Sequence, residues 1–161
     1  MQYIKLIKLL YFLDRAALLK WGRPVTTDVR YVSMMNGPVL GRIYDLITGP
    51  QDEGGKGIWR AHIAPPKSYL LSMVKDPGSS ELSPAEEKMI AAIFKKFGAL
   101  HWSELCDLSH QFAEWRKPKE GKISPIELEE ILKAGDKTDR EIAEIVDELE
   151  SLAVVQRMII E

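Results

Sequence analysis

KLIKLLYFLDR, residues 5–15, is the stretch whose reading decides the fold. It lies inside a longer run, Tyr3 to Trp21, that is free of Gly and Pro and rich in Leu, Ala and Lys, so the whole run is predicted to be one helix. Gly22 and then Pro24 follow, a common way for a helix to end. At about 100° per residue the apolar positions run nearly all the way round. A helix of that kind is central and packed on several sides. Lys5, Lys8 and Arg15 share its one narrow polar strip. Asp14 falls outside the strip, among Ile7, Leu10, Leu18 and Trp21. Burying a carboxylate without a partner is costly. Asp14 is therefore expected to be paired internally, with Arg23, Arg30 and His110 as candidates, and to organise the fold around this helix.

Outward from the helix, residues 28–36 (DVRYVSMMN) fit a short helix and a strand equally well. Asn36-Gly37-Pro38 punctuates the chain, and Pro38 suits the first turn of a helix running from Val39 to Ile47. A glycine-rich loop, TGPQDEGGKG, occupies 48–57. Ile58 to Ile63 and Tyr69 to Val74 alternate in a strand-like way around Pro65-Pro66, which predicts a small antiparallel pair. Further on, Ser83-Pro84-Ala85-Glu86, Ser124-Pro125-Ile126-Glu127 and Thr138-Asp139-Arg140-Glu141 each read as a capping box that opens a helix. Another helix is expected over Ser103 to Phe112. The last helix carries Ile142, Ile145, Val146, Leu149, Leu152 and Ala153 on one stripe, with acids opposite. The expected fold is mainly α, a compact single-domain helical bundle around a central N-terminal helix, with a small antiparallel β element near residues 58–74. One domain should span 1–161, with a helical part at 1–48, a β-containing segment at 56–75 and a helical part at 83–156.

The chain's 161 residues suit one hydrophobic core. Apolar residues at 45% and charged residues at 29% describe an ordinary globular protein. Twenty-two Lys and Arg against 24 Asp and Glu leave a formal net charge of −2, which argues against a general nucleic-acid binder while leaving room for a local basic patch. The single cysteine, Cys106, suits a reducing compartment. Lysines interrupt the apolar start and no small-residue cleavage site follows, so the first residues read as a helix of the fold and not as a signal peptide. No apolar run approaches the roughly 20 residues that span a bilayer. A cytoplasmic protein without membrane partners is expected.

Few residues suggest chemistry. Cys106 and His110 are four apart and share a helix face, which could activate a thiolate. Nucleophile and base on one face make an unusual catalytic layout, however, and cysteine is commonly a buried packing residue. The three histidines, His62, His101 and His110, show none of the short spacings of zinc sites. Gly49, Gly54, Gly55 and Gly57 do not open a helix and lack a following Lys-Ser/Thr, so they form no phosphate cradle. Four tryptophans stand at 21, 59, 102 and 115. Trp115, in the polar stretch Glu114-Trp115-Arg116-Lys117-Pro118, suits an interface as well as a core. The pattern predicts no enzyme, no metal and no cofactor.

KLIKLLYFLDR (5–15), GRPVTTD (22–28), YVSMMNGPVL (31–40) and Tyr44, then LS at 82–83, FG at 97–98 and SHQFAEW at 109–115, together resemble the Panacea domain of SocA-like antitoxins. The likeness extends over essentially the whole chain. It implies a mostly helical domain, often encoded beside a toxin and neutralising it; in the founding type the antitoxin resembles an adaptor that delivers its toxin to an ATP-dependent protease. Many relatives occur in phage and mobile-element settings. The positions that match the family are Lys8, Leu9, Leu10, Tyr11, Asp14, Gly37, Pro38, Val39, Tyr44, His110 and Trp115, as structural or partner-binding residues. Relatives usually carry another helix ahead of the Lys-Leu-Leu-Tyr segment. A flank of the first helix left bare here is expected to be covered by a second copy of the chain or by the partner. The alternatives are a DNA-binding or phage-associated regulator that uses Lys5, Lys8 and Arg15, and an enzyme centred on Cys106 and His110.

Overall fold

A computed structural model describes residues 1–49 and 56–160. The chain begins with helix α1 (Tyr3–Trp21), followed by strands β1 (Tyr31–Met34) and β2 (Gly37–Leu40) and helices α2 (Gly41–Thr48) and α3 (Lys56–His62). Helices α4 (Pro84–Phe97) and α5 (Trp102–Ser109), strand β3 (Ser124–Ile126), and helices α6 (Leu128–Ala134) and α7 (Asp139–Ile160) complete it. The fold is mainly α with a small antiparallel sheet, as expected.

Helix α1 has the expected bounds. Gly22 ends it in the left-handed region at φ +72°, and its N–H donates to the Leu18 carbonyl at 2.9 Å. Lys20 is the one fully exposed residue of α1. Helices α4, α5, α2 and α6 and strand β2 all pack against it. On one side Leu9, Tyr11, Phe12 and Leu18 join Tyr31, Leu40, Leu105, Ile131 and Leu132. On the other, Ile7 meets Val32, Val39, Ile47 and Leu71. Each fully buried aliphatic side chain contributes about 1.5–3 kcal/mol, so this double-sided packing makes α1 the spine of the molecule.

The sheet is not where the alternation placed it. Its strand order is β2-β1-β3, with Tyr31 opposite both Leu40 and Ile126. Within 58–74, the first half is helical, because Trp59 and Ile63 lie four apart and pack together on the Val32–Val39 cluster, leaving Ile58 exposed. The second half makes only isolated bridges, Ile63 to Met73 and Lys67 to Leu70, and a further one to Gln2. The helix predicted from Val39 starts two residues later, since Pro38 and Val39 pair with Ser33 and Val32. Leu40 has no side-chain acceptor to cap α2; the Asp28 carboxylate does so instead, accepting the Ile43 N–H at 3.0 Å. Ser83 and Thr138 open α4 and α7 through the expected capping boxes. The Ser124 motif does not: Ser124–Ile126 pairs with β1, and the next helix starts at Leu128, with the Glu130 carboxylate accepting the Glu127 N–H. The helix expected over Ser103 to Phe112 is the shorter α5. Residues 50–55 of the glycine-rich loop lie outside the described residues.

Asp14 is fully buried, as the apolar face required. None of Arg23, Arg30 and His110 is its partner. The Val25 and Thr26 N–H groups donate to its Oδ1, both at 2.9 Å, and the Thr26 hydroxyl donates to its Oδ2. Arg23 pairs with Glu86, and Arg30 with Asp45. Burial pushes the Asp14 carboxyl above its ordinary value, and the Thr26 and Val25 donors pull it back only in part. Asp14 therefore pins the 22–28 segment to α1 by capping backbone donors. Asp14→Leu strands those N–H groups and should cost about 3 kcal/mol, read as a lower urea midpoint of unfolding.

Candidate functional site

The matching residues of the two halves of the chain meet where α1 faces the β1–β2 turn. Lys8 is fully buried, and its Nζ donates to the Pro38 carbonyl at 2.8 Å. Gly37 stands at φ +97°, a conformation that L side chains rarely adopt. A Cβ there would overlap Ser109 Oγ and lie 2.7 Å from Lys8 Nζ and 3.3 Å from His110 Cδ2. Ser109 Oγ in turn donates to the Cys106 carbonyl at 2.8 Å. His110 is stacked on Trp115 with ring centroids 4.0 Å apart, and the Trp115 indole N–H donates to the Met34 carbonyl at 3.1 Å. Lys8, Gly37, Pro38, His110 and Trp115 thus form one cluster that clasps the turn. Trp115 spends its polar atom inside the fold.

Burial pushes the Lys8 ammonium down to about 7, with only the nearby Cys106 opposing it. His110 is lowered by burial first and then by the Lys8 charge. Burial pushes the Cys106 thiol up, against the pull of Lys8. A thiol raised in this way is the opposite of an activated nucleophile.

Tyr11 belongs to a second network. Its hydroxyl donates to Glu114 Oε1 at 3.0 Å, and Arg15 donates to the same carboxylate through Nε at 2.7 Å and Nη2 at 3.3 Å. The Glu114 side chain is fully buried, and the Arg15 guanidinium lies 4.2 Å above the Phe112 ring centroid. Lys8 and Arg15 are therefore committed inward, and the polar strip of α1 is not the row of free cations that a DNA-binding helix would present. Glu114, Ser109 and Asp28 are the residues the sequence reading missed. Glu114 and Ser109 lie in the quoted SHQFAEW and Asp28 ends GRPVTTD, but the partners of Glu114 are 103 and 99 residues away in the chain.

Tyr44, half-buried on α2, lines a cleft of about 280 Å³ together with Tyr3, Ile4, Ile7, Lys8, Met34, Met35, Asn36, Val39 and Gly121 to Ile123. A neighbouring cleft of about 290 Å³ shares Tyr3, Ile4 and Asn36 and adds Tyr69 and Trp102. Ser68 and Tyr69 hold left-handed backbone at φ +48° and +68°, and the Tyr69 carbonyl accepts the Tyr3 N–H at 2.9 Å. The N-terminus of α1 thus opens onto a concave surface. Among the described residues no three His, Cys, Asp or Glu side chains could hold a metal ion together, and no helix is long and apolar enough to cross a membrane.

A family model described as antitoxin SocA-like, Panacea domain, matches residues 6–116. No curated protein and no solved structure matches the chain.

Two stability measurements probe the cluster. Gly37→Ala adds a Cβ in a strained conformation against Ser109 and should cost at least about 2 kcal/mol, read as a fall in Tm. The second concerns Lys8, which titrates near 7 when folded against an ordinary 10.5. Between those values the unfolded chain holds a proton that the folded chain has lost, so stability rises with pH, by at most about 1.4 kcal/mol per pH unit. Below pH 7 both states are protonated and the contribution is flat. Lys8→Met should remove this slope in denaturant titrations at pH 7, 8, 9 and 10.

Proposed function

Since the chain belongs to the Panacea-domain family of SocA-like antitoxins, we propose that it binds a cognate toxin encoded beside it and neutralises it, either by masking the toxin or by delivering it to an ATP-dependent protease. The single observation that carries this reading is the family match over residues 6–116, which takes in the Lys8–Gly37–Pro38–His110 cluster and the Tyr11–Glu114 pair. The whole chain, 1–161, acts as one docking body in the cytoplasm and needs no cofactor.

The side chains fit this role. The polar groups that could have borne chemistry are occupied in holding elements together: Lys8 on Pro38, Glu114 on Tyr11 and Arg15, Asp14 on the 25–26 backbone. The concave surface at the start of α1 keeps exposed apolar side chains, Met35, Tyr69 and Ile123. Contiguous exposed apolar residues with a polar rim suit a protein partner. A cysteine-dependent enzyme is the less supported reading, because the Cys106 thiol is buried and raised.

Co-expression with each neighbouring gene tests the proposal. One neighbour should be toxic alone, harmless with this chain, and recovered bound to it. Under masking the toxin level is unchanged by rescue; under delivery it falls, and falls only while the protease is active. Rescue should survive Cys106→Ala. A chain that rescues growth from no neighbour, or that loses rescue with Cys106→Ala while its Tm is unchanged, would overturn the reading.

A further inference from the structure

Resting on the antitoxin reading, the question is what chemistry on the toxin the surface at the start of α1 would accept. Directly after the family match, which ends at residue 116, the chain runs Lys117-Pro118-Lys119-Glu120-Gly121-Lys122-Ile123. The Lys122 N–H donates to the Lys119 carbonyl at 2.9 Å, and Gly121 takes φ +69°, so the segment is a tight turn. Lys117, Lys119 and Lys122 are exposed on it, and none is in an ion pair among the described residues. The one acid within the turn is Glu120, and Glu130 on α6 pairs with Arg116. A chain of net charge −2 therefore concentrates cations at one rim.

That rim belongs to the cleft. Gly121, Lys122 and Ile123 line it together with Tyr3, Ile4 and Met35, and Ile123 is 58% exposed and Met35 42%. Among the described residues, the floor of the cleft offers no competing carboxylate at Lys8. Lys8, fully buried and lining the same cleft, has the Pro38 carbonyl as its hydrogen-bond partner and no carboxylate in contact among the described residues. The positive charge that an incoming anion meets at this cleft is therefore that of the exposed Lys119 and Lys122 at its rim.

We propose that this cleft and the lysine turn beside it receive an acidic segment of the toxin, with its carboxylates on Lys119 and Lys122 and its apolar side chains against Ile123 and Met35. A protein segment is favoured over nucleic acid because the cations border the exposed apolar side chains of Ile123 and Met35 and do not form a continuous basic face.

The test uses the full chain in complex with the toxin that co-purifies with it. A water-soluble carbodiimide joins a carboxylate to an amine only where the two touch, and mass spectrometry identifies the joined peptides. Toxin Asp or Glu residues are expected on Lys119 or Lys122. The double variant Lys119→Glu/Lys122→Glu, whose altered side chains are exposed and which should melt like the parent, is expected to bind the toxin about tenfold or more weakly at low salt. Lys95→Glu/Lys96→Glu on α4 should bind within about twofold of the parent, as a charge control. Cross-links confined to other lysines, or unchanged affinity in the 119/122 variant, would overturn the proposal. So would duplex DNA binding that the 119/122 variant abolishes while toxin binding persists. Failure of any neighbour to co-purify overturns the antitoxin reading itself, and the proposal falls with it by a different route.

Discussion

Helix α1 cannot turn three of its polar side chains to water. With Lys20 as its one exposed residue, the helix is surrounded by four other helices and the sheet, yet it carries Lys8, Tyr11 and Asp14 as buried residues. Each of these groups must find its hydrogen bond inside the protein, because an unanswered buried donor or acceptor costs about 1–3 kcal/mol, more than a made one contributes. The remaining chain is arranged around those three demands. Pro38 offers a carbonyl to Lys8, Glu114 accepts from Tyr11, and the 25–26 backbone donates to Asp14.

These contacts should not be counted as the source of stability. Apolar burial on both sides of α1 supplies the larger favourable term, and a buried polar group at best recovers its own desolvation. What the polar contacts supply is register. Lys8 reaches Pro38 only if the β1–β2 turn lies where Ser109 nearly touches Gly37, and Tyr11 reaches Glu114 only if the segment after α5 folds back over Phe112. Slipping α1 by one residue would break all of them at once.

The groups nearest to a chemical pair are drawn into the packing. The Cys106 thiol and the His110 ring sit beside Lys8, where burial raises the one and lowers the other. A concave region lies at the start of α1, bordered by apolar side chains and the lysine turn. Family membership, a rigid interior and an open, partly apolar cleft agree with one another.

Several features were legible in the residues alone because they depend on neighbours in the chain. Helix α1 and its glycine stop, the Ser83 and Thr138 capping boxes, the mainly α class and the burial of Asp14 all follow from spacings of a few residues. The likeness to SocA-like antitoxins was legible too, since it rests on motif residues. Other features required the folded chain. Short apolar segments satisfy helical and extended spacing alike, so Ile58–Ile63 was read as a strand, although four-residue packing of Trp59 and Ile63 makes it helical. Ser124 carries a capping signature that a better offer, pairing with Ser33, overrides. The partners of Asp14, Lys8 and Tyr11 were out of reach for the same reason. Local sequence states that a buried charge must be answered, but which backbone or side chain answers it depends on contacts between residues up to 103 positions apart, and only tertiary packing brings those together.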